Sequence, residues 1–427
     1  MFNIVDKDMD MTLAKSPSGA PSGPSIGRRA RVAVAALALA AALAACGSGG
    51  GSDDAADRSA GLKGDPVVVG LINAEQGPLT YPDVSVGASA AIRYVNENGG
   101  VNGRPLELVV CKANGTAEST IACAQELISK KAVVSLEGFD PTADAKLAPL
   151  KKAGIPVSGA TTLVQGVDVS PDANLTSVPW SLSFPAALKA LDKLGTKNLV
   201  IVGADPGPQM LKILSRNVGA AAGAMGMKAS LTAYNPGSPN FAAAVTAAKA
   251  KGADAIYISG NEAACTNGVK TARQLGYKGH LFVVNCTDFA SELGAVAKGV
   301  ISLAVLVPPT AEATAPAKTK QDIDTYKKAM KADGSAAAID SFAIYGFSDV
   351  TTFAEAVKGL SGEVTAATAG TAVKGFKGDV FLGQSGVDCT RRPVPDGGSC
   401  GTRMAQLEAD GKGGFEMVGG SFFDVTK

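Results

Sequence analysis

The residues of this 427-residue chain that could do chemistry are few, and they are grouped in short loops. A single histidine, His280, leaves no histidine pair for a metal and no base for most nucleophile triads. No G-x-S-x-G elbow, P-loop or C-x-x-C spacing takes its place, so the chain reads as a non-enzyme that needs no cofactor and no metal. What remains are polar loops, each following an apolar run: Glu137-Gly138-Phe139-Asp140-Pro141-Thr142, Ser158-Gly159-Ala160-Thr161-Thr162, Ser259-Gly260-Asn261-Glu262 and Asn285-Cys286-Thr287-Asp288. Beyond the carboxyl ends of parallel strands, such loops form ligand crevices. Helix N-termini there offer unpaired N–H groups to a carboxylate, and an acid such as Glu262 or Asp288 would meet an ammonium. The bland alternative is that Asp140, Thr142, Glu262 and Asp288 only cap helices and that Thr161 only makes a turn. Tyr81 would cover a ligand or stand as an exposed loop aromatic. Trp180, next to Pro179, reads as hinge or core packing, and His280 as a surface or edge residue.

Seven cysteines divide into one and six. Cys46 follows a basic patch (Arg28, Arg29, Arg31) and the 13 apolar residues Val32–Ala44. A membrane span needs about 20 such residues, so the run reads as a secretory signal. Leu43-Ala44-Ala45-Cys46 resembles the lipobox of bacterial lipoproteins, which implies cleavage before Cys46 and a diacylglycerol on its thiol. The competing reading is an ordinary secretory cut with Cys46 incidental. Residues 47–63, rich in Gly, Ser and Asp, form a flexible tether. The other six cysteines fall into local couples, Cys111/Cys123, Cys265/Cys286 and Cys389/Cys400. Among the 15 possible pairings this nearest-neighbour set is the expectation, and each loop so closed gains roughly 3 kcal/mol in the chain-entropy view. Free buried thiols are the alternative.

Charge excludes one class of partner. Lys and Arg total 40 against 39 Asp and Glu, and removing residues 1–46 leaves the balance near neutral. No basic face for nucleic acid is implied. The remaining length suits two cores better than one. From PVVVGLI at 66–72, apolar strands and amphipathic helices alternate up to about residue 178, and the rhythm restarts at LVIVGA (199–204). The pattern predicts an α/β fold of two doubly wound parallel-sheet lobes joined by a multi-crossing hinge. Boundaries are expected at 64–181 and 307–377 for the first lobe, and at 182–306 and 378–427 for the second. Strand-like pieces are expected late in the chain at DVFLG, TRMAQLEA and GFEMVGG.

The stretch VVVGLINAEQGPLTYPDVSVGASAAIRYVNENGGVNGRPLELVV resembles the opening of the branched-chain-amino-acid (Leu/Ile/Val) type of substrate-binding protein from ABC uptake systems. Gly77-Pro78, Gly87-Ala88, Asn96–Pro105 and Gly154–Thr161 carry the resemblance, which extends over residues 66–427. It implies a type I periplasmic binding protein fold, with ligand held between lobes that close by hinge motion. It implies a monomer, anchored by lipid to the outer face of the cell membrane, that delivers a small amino acid, carboxylate or amide to an ABC permease. In that family two loops hold the ligand carboxylate. Thr142, Gly159, Ala160 and Thr161 occupy the matching places, with Phe139 and Asp140 beside them. The family's second-lobe tyrosine is replaced here by Asp205–Gln209, which leaves Asn261, Glu262 and Asp288 as the polar groups of that side. Two further readings compete: a ligand-sensing receptor on the same fold that signals to a membrane partner, and an exported enzyme.

Overall fold

The apolar run Val67–Ala74 forms β1, the middle of a parallel sheet. The protein is described by a computed structural model over residues 61–427 apart from 78, 206 and 285. Cys46, the signal segment and residues 47–60 of the tether lie outside the described residues. Among the described residues, no helix is long and apolar enough to cross a membrane.

The first lobe continues with α1 (Pro82–Glu97), β2 (Leu106–Ala113), α2 (Ala117–Ser129), β3 (Val134–Glu137), α3 (Leu147–Ala153), β4 (Val157–Gly159), the short α4 (Gln165–Asp168) and β5 (Ala173–Leu175). Its sheet has the order β2-β1-β3-β4-β5, all parallel. Helices cover both faces, so β1 and β3 are buried almost throughout. Each fully buried Leu, Ile or Val there contributes about 1.5–3 kcal/mol. α3 stops at Gly154, whose φ of 72° is the left-handed cap geometry that glycine adopts without penalty.

The second lobe comprises α5 (Trp180–Lys193), β6 (Asn198–Ala204), α6 (Pro208–Gly223), β7 (Lys228–Tyr234), α7 (Phe241–Ala250), β8 (Ala255–Ile258), α8 (Glu262–Gln274), β9 (His280–Val284), α9 (Asp288–Leu293) and β10 (Ile301–Ala304). The chain then returns to the first lobe with α10 (Ala317–Ala332), α11 (Ala343–Val357) and α12 (Ala366–Lys374), followed by the small hairpin β11 (Lys377–Gly378) and β12 (Val387–Asp388). It ends on the second sheet with β13 (Arg403–Ala409), β14 (Phe415–Met417) and β15 (Phe423–Asp424). β13 runs antiparallel beside β10, with β14 and β15 antiparallel to it.

Two glycines explain how α11 docks on the first lobe. A Cβ on Gly87 of α1 would stand 1.8 Å from the Ala343 carbonyl oxygen, and one on Gly346 would stand 1.9 Å from the Val84 carbonyl oxygen. α1 and α11 therefore meet backbone to backbone, and no larger residue fits at either position.

Three crossings join the lobes. The first follows β5 and enters α5 at Trp180, whose backbone N–H donates to Asp168. The second leaves β10 and pairs Leu306 with Gly383. The third brings Ser399 and Cys400 along β5 before the chain joins the second sheet at Arg403. Buried Gln384 ties the first and third together: its amide donates to the Thr176 carbonyl, and its oxygen accepts the N–H groups of Thr402 and Arg403.

The cysteines pair as the local couples: Cys111–Cys123, Cys265–Cys286 and Cys389–Cys400. DVFLG departs from expectation. Residues 379–383 turn instead of extending, with Leu382 at a φ of 60°, and only an isolated bridge at Gly383 remains. α8 begins at Glu262, earlier than the CTNGVK run implied, because Asn261 caps it.

Candidate functional site

Tyr81 closes the turn after β1. Its N–H donates to the Ala74 carbonyl, and its own carbonyl accepts from the buried Asn73 amide. The ring, only 5 % exposed, meets Phe139 edge-on at 5.3 Å and Phe342 at 5.4 Å. Phe139 in turn packs on Phe342 at 5.1 Å and on Tyr345 at 4.9 Å. Four rings from the ends of β1 and β3 and the start of α11 thus make one apolar wall. Phe342 and Tyr345 come from a segment that sequence reasoning read only as helix. Their signal was aromatic density, FAIYGF, and it resembled ordinary core.

The ends of the second sheet face this wall. Burial, then neighbouring Tyr234 and Glu262 of the second lobe, hold the Tyr81 phenol above its ordinary range. Burial and Glu262 do the same to Tyr345. Tyr234, at the end of β7, donates its hydroxyl to the Ser259 carbonyl. Tyr81 of the first lobe thus lies near Glu262 and Tyr234 of the second.

The loop after β4 carries the donors. Ala160 N–H is occupied: it donates to Asp349 Oδ1 at 2.6 Å. Among the described residues, neither Thr161 N–H nor Thr162 N–H has an acceptor, and the Thr161 hydroxyl has no partner. Thr161 is buried, as is Ala160. Gly159 leaves room for Glu137, since a Cβ on it would lie 2.6 Å from the Glu137 Cβ.

Asp140 and Thr142 sit differently. Asp140 is fully buried and accepts from the Thr142 N–H and from the hydroxyls of Thr142 and Thr120. The Thr142 hydroxyl also lies 2.7 Å from that of Thr120 on α2. Both side chains close their own loop and tie it to α2, ahead of a 3-10 turn at Ala143–Lys146.

Beneath the loops runs a charged network the sequence did not disclose. Glu137 and Lys146, both with no exposed side-chain area, pair at 2.6 Å, and the Thr162 hydroxyl donates to Glu137 at 2.8 Å. Burial pushes Glu137 up from the usual carboxylate range against the pull of Lys146. Asp349 is raised well above that range, again by burial first. The signal that could have found Asp349 is a lone acid inside the apolar stretch of α11.

On the second lobe, Asn261 caps α8 by accepting the Ala264 N–H at 3.0 Å. Glu262 turns both carboxylate oxygens onto the neighbouring loop, accepting Thr287 N–H at 2.7 and 3.0 Å and Asp288 N–H at 3.1 Å. Asp288 differs: among the described residues its Oδ1 is buried without a hydrogen-bond partner. Burial, then Glu292 and the first-lobe acids Asp83 and Asp340, push Asp288 up to about 7. Burial, then Asp288, push Glu262 up to about 8. Among the described residues no cluster of three His, Cys, Asp or Glu side chains is placed to hold a metal ion. A separate groove of about 1020 Å³ opens on the first lobe between α1, α11 and α12, away from every residue above. Trp180 is 39 % exposed at the mouth of the first crossing, and His280 is half-buried at the start of β9.

A family model described as "Periplasmic binding protein" matches residues 66–412. No curated protein matches the sequence significantly. Solved structures share the fold at low identity. A substrate-binding periplasmic protein from Ralstonia solanacearum is 18% identical, with 83% of this chain and 100% of that one covered at a TM-score of 0.69. The branched-chain amino acid transporter substrate binding protein from Streptococcus pneumoniae, in complex with isoleucine, is 18% identical, covering 82% and 98% at 0.63. A solute binding protein of an ABC transporter from Rhodopseudomonas palustris, in complex with p-hydroxybenzoic acid, is 18% identical, covering 84% and 98% at 0.68.

Proposed function

The chain belongs to the periplasmic binding protein family, and from that premise we propose that it captures a small carboxylate-bearing solute of the amino-acid class between its lobes for delivery to an ABC permease. The observation that carries this reading is the pair of unpartnered N–H groups at Thr161 and Thr162, beside the Thr161 hydroxyl, in a loop tied through Ala160 to the helix that also supplies Tyr345 of the four-ring wall. Backbone donors of this kind suit a carboxylate. The rings suit an apolar side chain or aromatic body, and Asp288, with its buried and unpartnered oxygen, suits an amino group. Asp140, Thr142 and Asn261 support the loops, and Tyr81, Phe139 and Thr161 line the site with Gly159 and Ala160 behind them. The neighbours crystallised with isoleucine and with p-hydroxybenzoic acid lend the proposal a range of ligand shapes.

In this reading the lobe boundaries fall near residues 181 and 306, while the last crossing moves from the expected 377/378 to about 402, because Ser399 and Cys400 still run along β5 of the first lobe. Lipidation at Cys46 would hold the receptor at the outer face of the membrane, since diacyl anchors bind stably where single chains do not. Mass spectrometry of the mature N-terminus tests the anchor.

A thermal-shift screen of the protein against amino acids, small carboxylates, amides and aromatic acids tests the capture. A ligand at about 100 times its dissociation constant stabilises by roughly 2.7 kcal/mol. A shift confined to carboxylates and weakened in Thr161→Ala is the expected result. Equal shifts for esters or amides of the same molecules would overturn the carboxylate assignment.

A further inference from the structure

Two loops of the second lobe that reach the cleft are joined twice. Cys265, one turn into α8, is bonded to Cys286 just ahead of α9, and both cysteines are fully buried. Alongside, the Glu262 carboxylate takes the N–H groups of Thr287 and Asp288. Capping the six-residue α9 does not by itself call for a covalent tie as well as a buried acid.

A reason lies across the cleft. Asp288 is faced by Asp83 from α1, by Asp340 ahead of α11 and by Glu292 on its own helix, with Tyr326 of α10 close enough to feel the same charge. Its nearest acid on α8 is Glu262. Like charges at short range in a partly desolvated cleft repel by amounts that water no longer screens, so an ionised Asp288 tends to displace residues 286–288 from their place. Both ties oppose that movement.

Resting on the cleft reading above, we propose that the Cys265–Cys286 disulfide and Glu262 form the positioning device of the second-lobe half-site. Together they hold the 286–288 backbone, and with it the Asp288 carboxylate, where the closing first lobe meets the solute. Glu262 acts through the loop and does not touch the solute, because both of its oxygens are taken by backbone donors.

Amide hydrogen exchange on the ligand-free protein tests the device directly. In Cys265→Ser/Cys286→Ser, the Thr287 and Asp288 amides are expected to lose protection by at least about tenfold, while β8 and β9 keep theirs. Cys111→Ser/Cys123→Ser, which opens a disulfide between β2 and α2, leaves Thr287 and Asp288 unchanged. Glu262→Ala also exposes the two amides. Glu262→Gln restores most of the protection through its amide oxygen, yet removes the fall in protection that ionisation of the buried carboxyl brings between pH 6 and pH 9.

Two results would overturn the proposal. One is wild-type protection at Thr287 and Asp288 in both the serine and the Glu262→Ala variants. The other is an equal loss across β8 and β9, which would make the disulfide a general stabiliser of the lobe. A parallel titration with L-isoleucine and 4-hydroxybenzoate separates the two readings. Failure of both probes to bind wild-type protein counts against the cleft assignment, whereas the exchange data decide the positioning device independently.

Discussion

The two lobes present their halves of the cleft by different means. The first builds its half from bulk: four interlocking rings, a helix pair in backbone contact and a buried Glu137–Lys146 pair beneath the Thr161 loop. Asp349 takes the Ala160 N–H and Glu137 takes the Thr162 hydroxyl from below, so the free donors at Thr161 and Thr162 sit on a loop tied down at both sides. The second lobe builds its half from point links, a disulfide and one carboxylate, and leaves Asp288 facing acids. A packed surface receives the apolar body of a solute with little rearrangement, whereas a loaded loop responds to charge. Under the proposed reading, the contrast would separate shape selection from charge selection between the lobes.

Removing one partner of the buried ion pair breaks the first half hardest. Lys146→Met strands the Glu137 carboxylate and is expected to cost about 3–5 kcal/mol in urea unfolding. A loss under about 1 kcal/mol would mean that the floor of the first lobe is as adaptable as the loops of the second, and the contrast would fail.

A smaller effect is expected from pH, because lobe opening relieves part of the repulsion. Glu262 and Asp288 are both held above their ordinary values in the fold, so the stability tied to their protonated forms is full below about pH 4. It is lost as pH rises through about 7 for Asp288 and about 8 for Glu262. Melting temperatures should therefore fall across that window. Asp288→Asn should remove the lower part of the fall, and a profile unchanged by that substitution would relocate the charge to other groups. The smallest effect belongs to Trp180→Ala. With the residue 39 % exposed at the first crossing, stability should move by no more than about 0.5 kcal/mol, and solute affinity should not change. A clear loss of affinity would place the indole in the cleft and enlarge the first-lobe wall.

Much of this frame is legible in the sequence because parallel strands covered on both faces are written as continuous apolar runs. PVVVGLI, AVVSL and LFVVN need no context to be read. The turn after α1 and the glycine stop at Gly154 are legible because they are written as local backbone requirements. The cysteine pairs are local as well. What is not legible depends on contacts between distant segments. Nothing in the spacing of Glu137 and Lys146 says that both turn inward, and nothing around Ala160 announces that its N–H is claimed by Asp349, which arrives 189 residues later. Glu262 and Asp288 looked interchangeable as acids in strand-end loops. Only the direction of their oxygens separates a residue that clamps backbone from one with an oxygen to spare.

The glycine contact between α1 and α11 also dictates an order of assembly. The second lobe draws β6 to β10 from one unbroken stretch of chain, so most of its sheet can form as that stretch emerges from the ribosome or the export channel. The first lobe has its sheet equally early but lacks the helix that seals it until α11 has been delivered. Until then the groove kept open by Gly87 exposes apolar surface, and a chain interrupted before residue 343 would be half receptor and half adhesive.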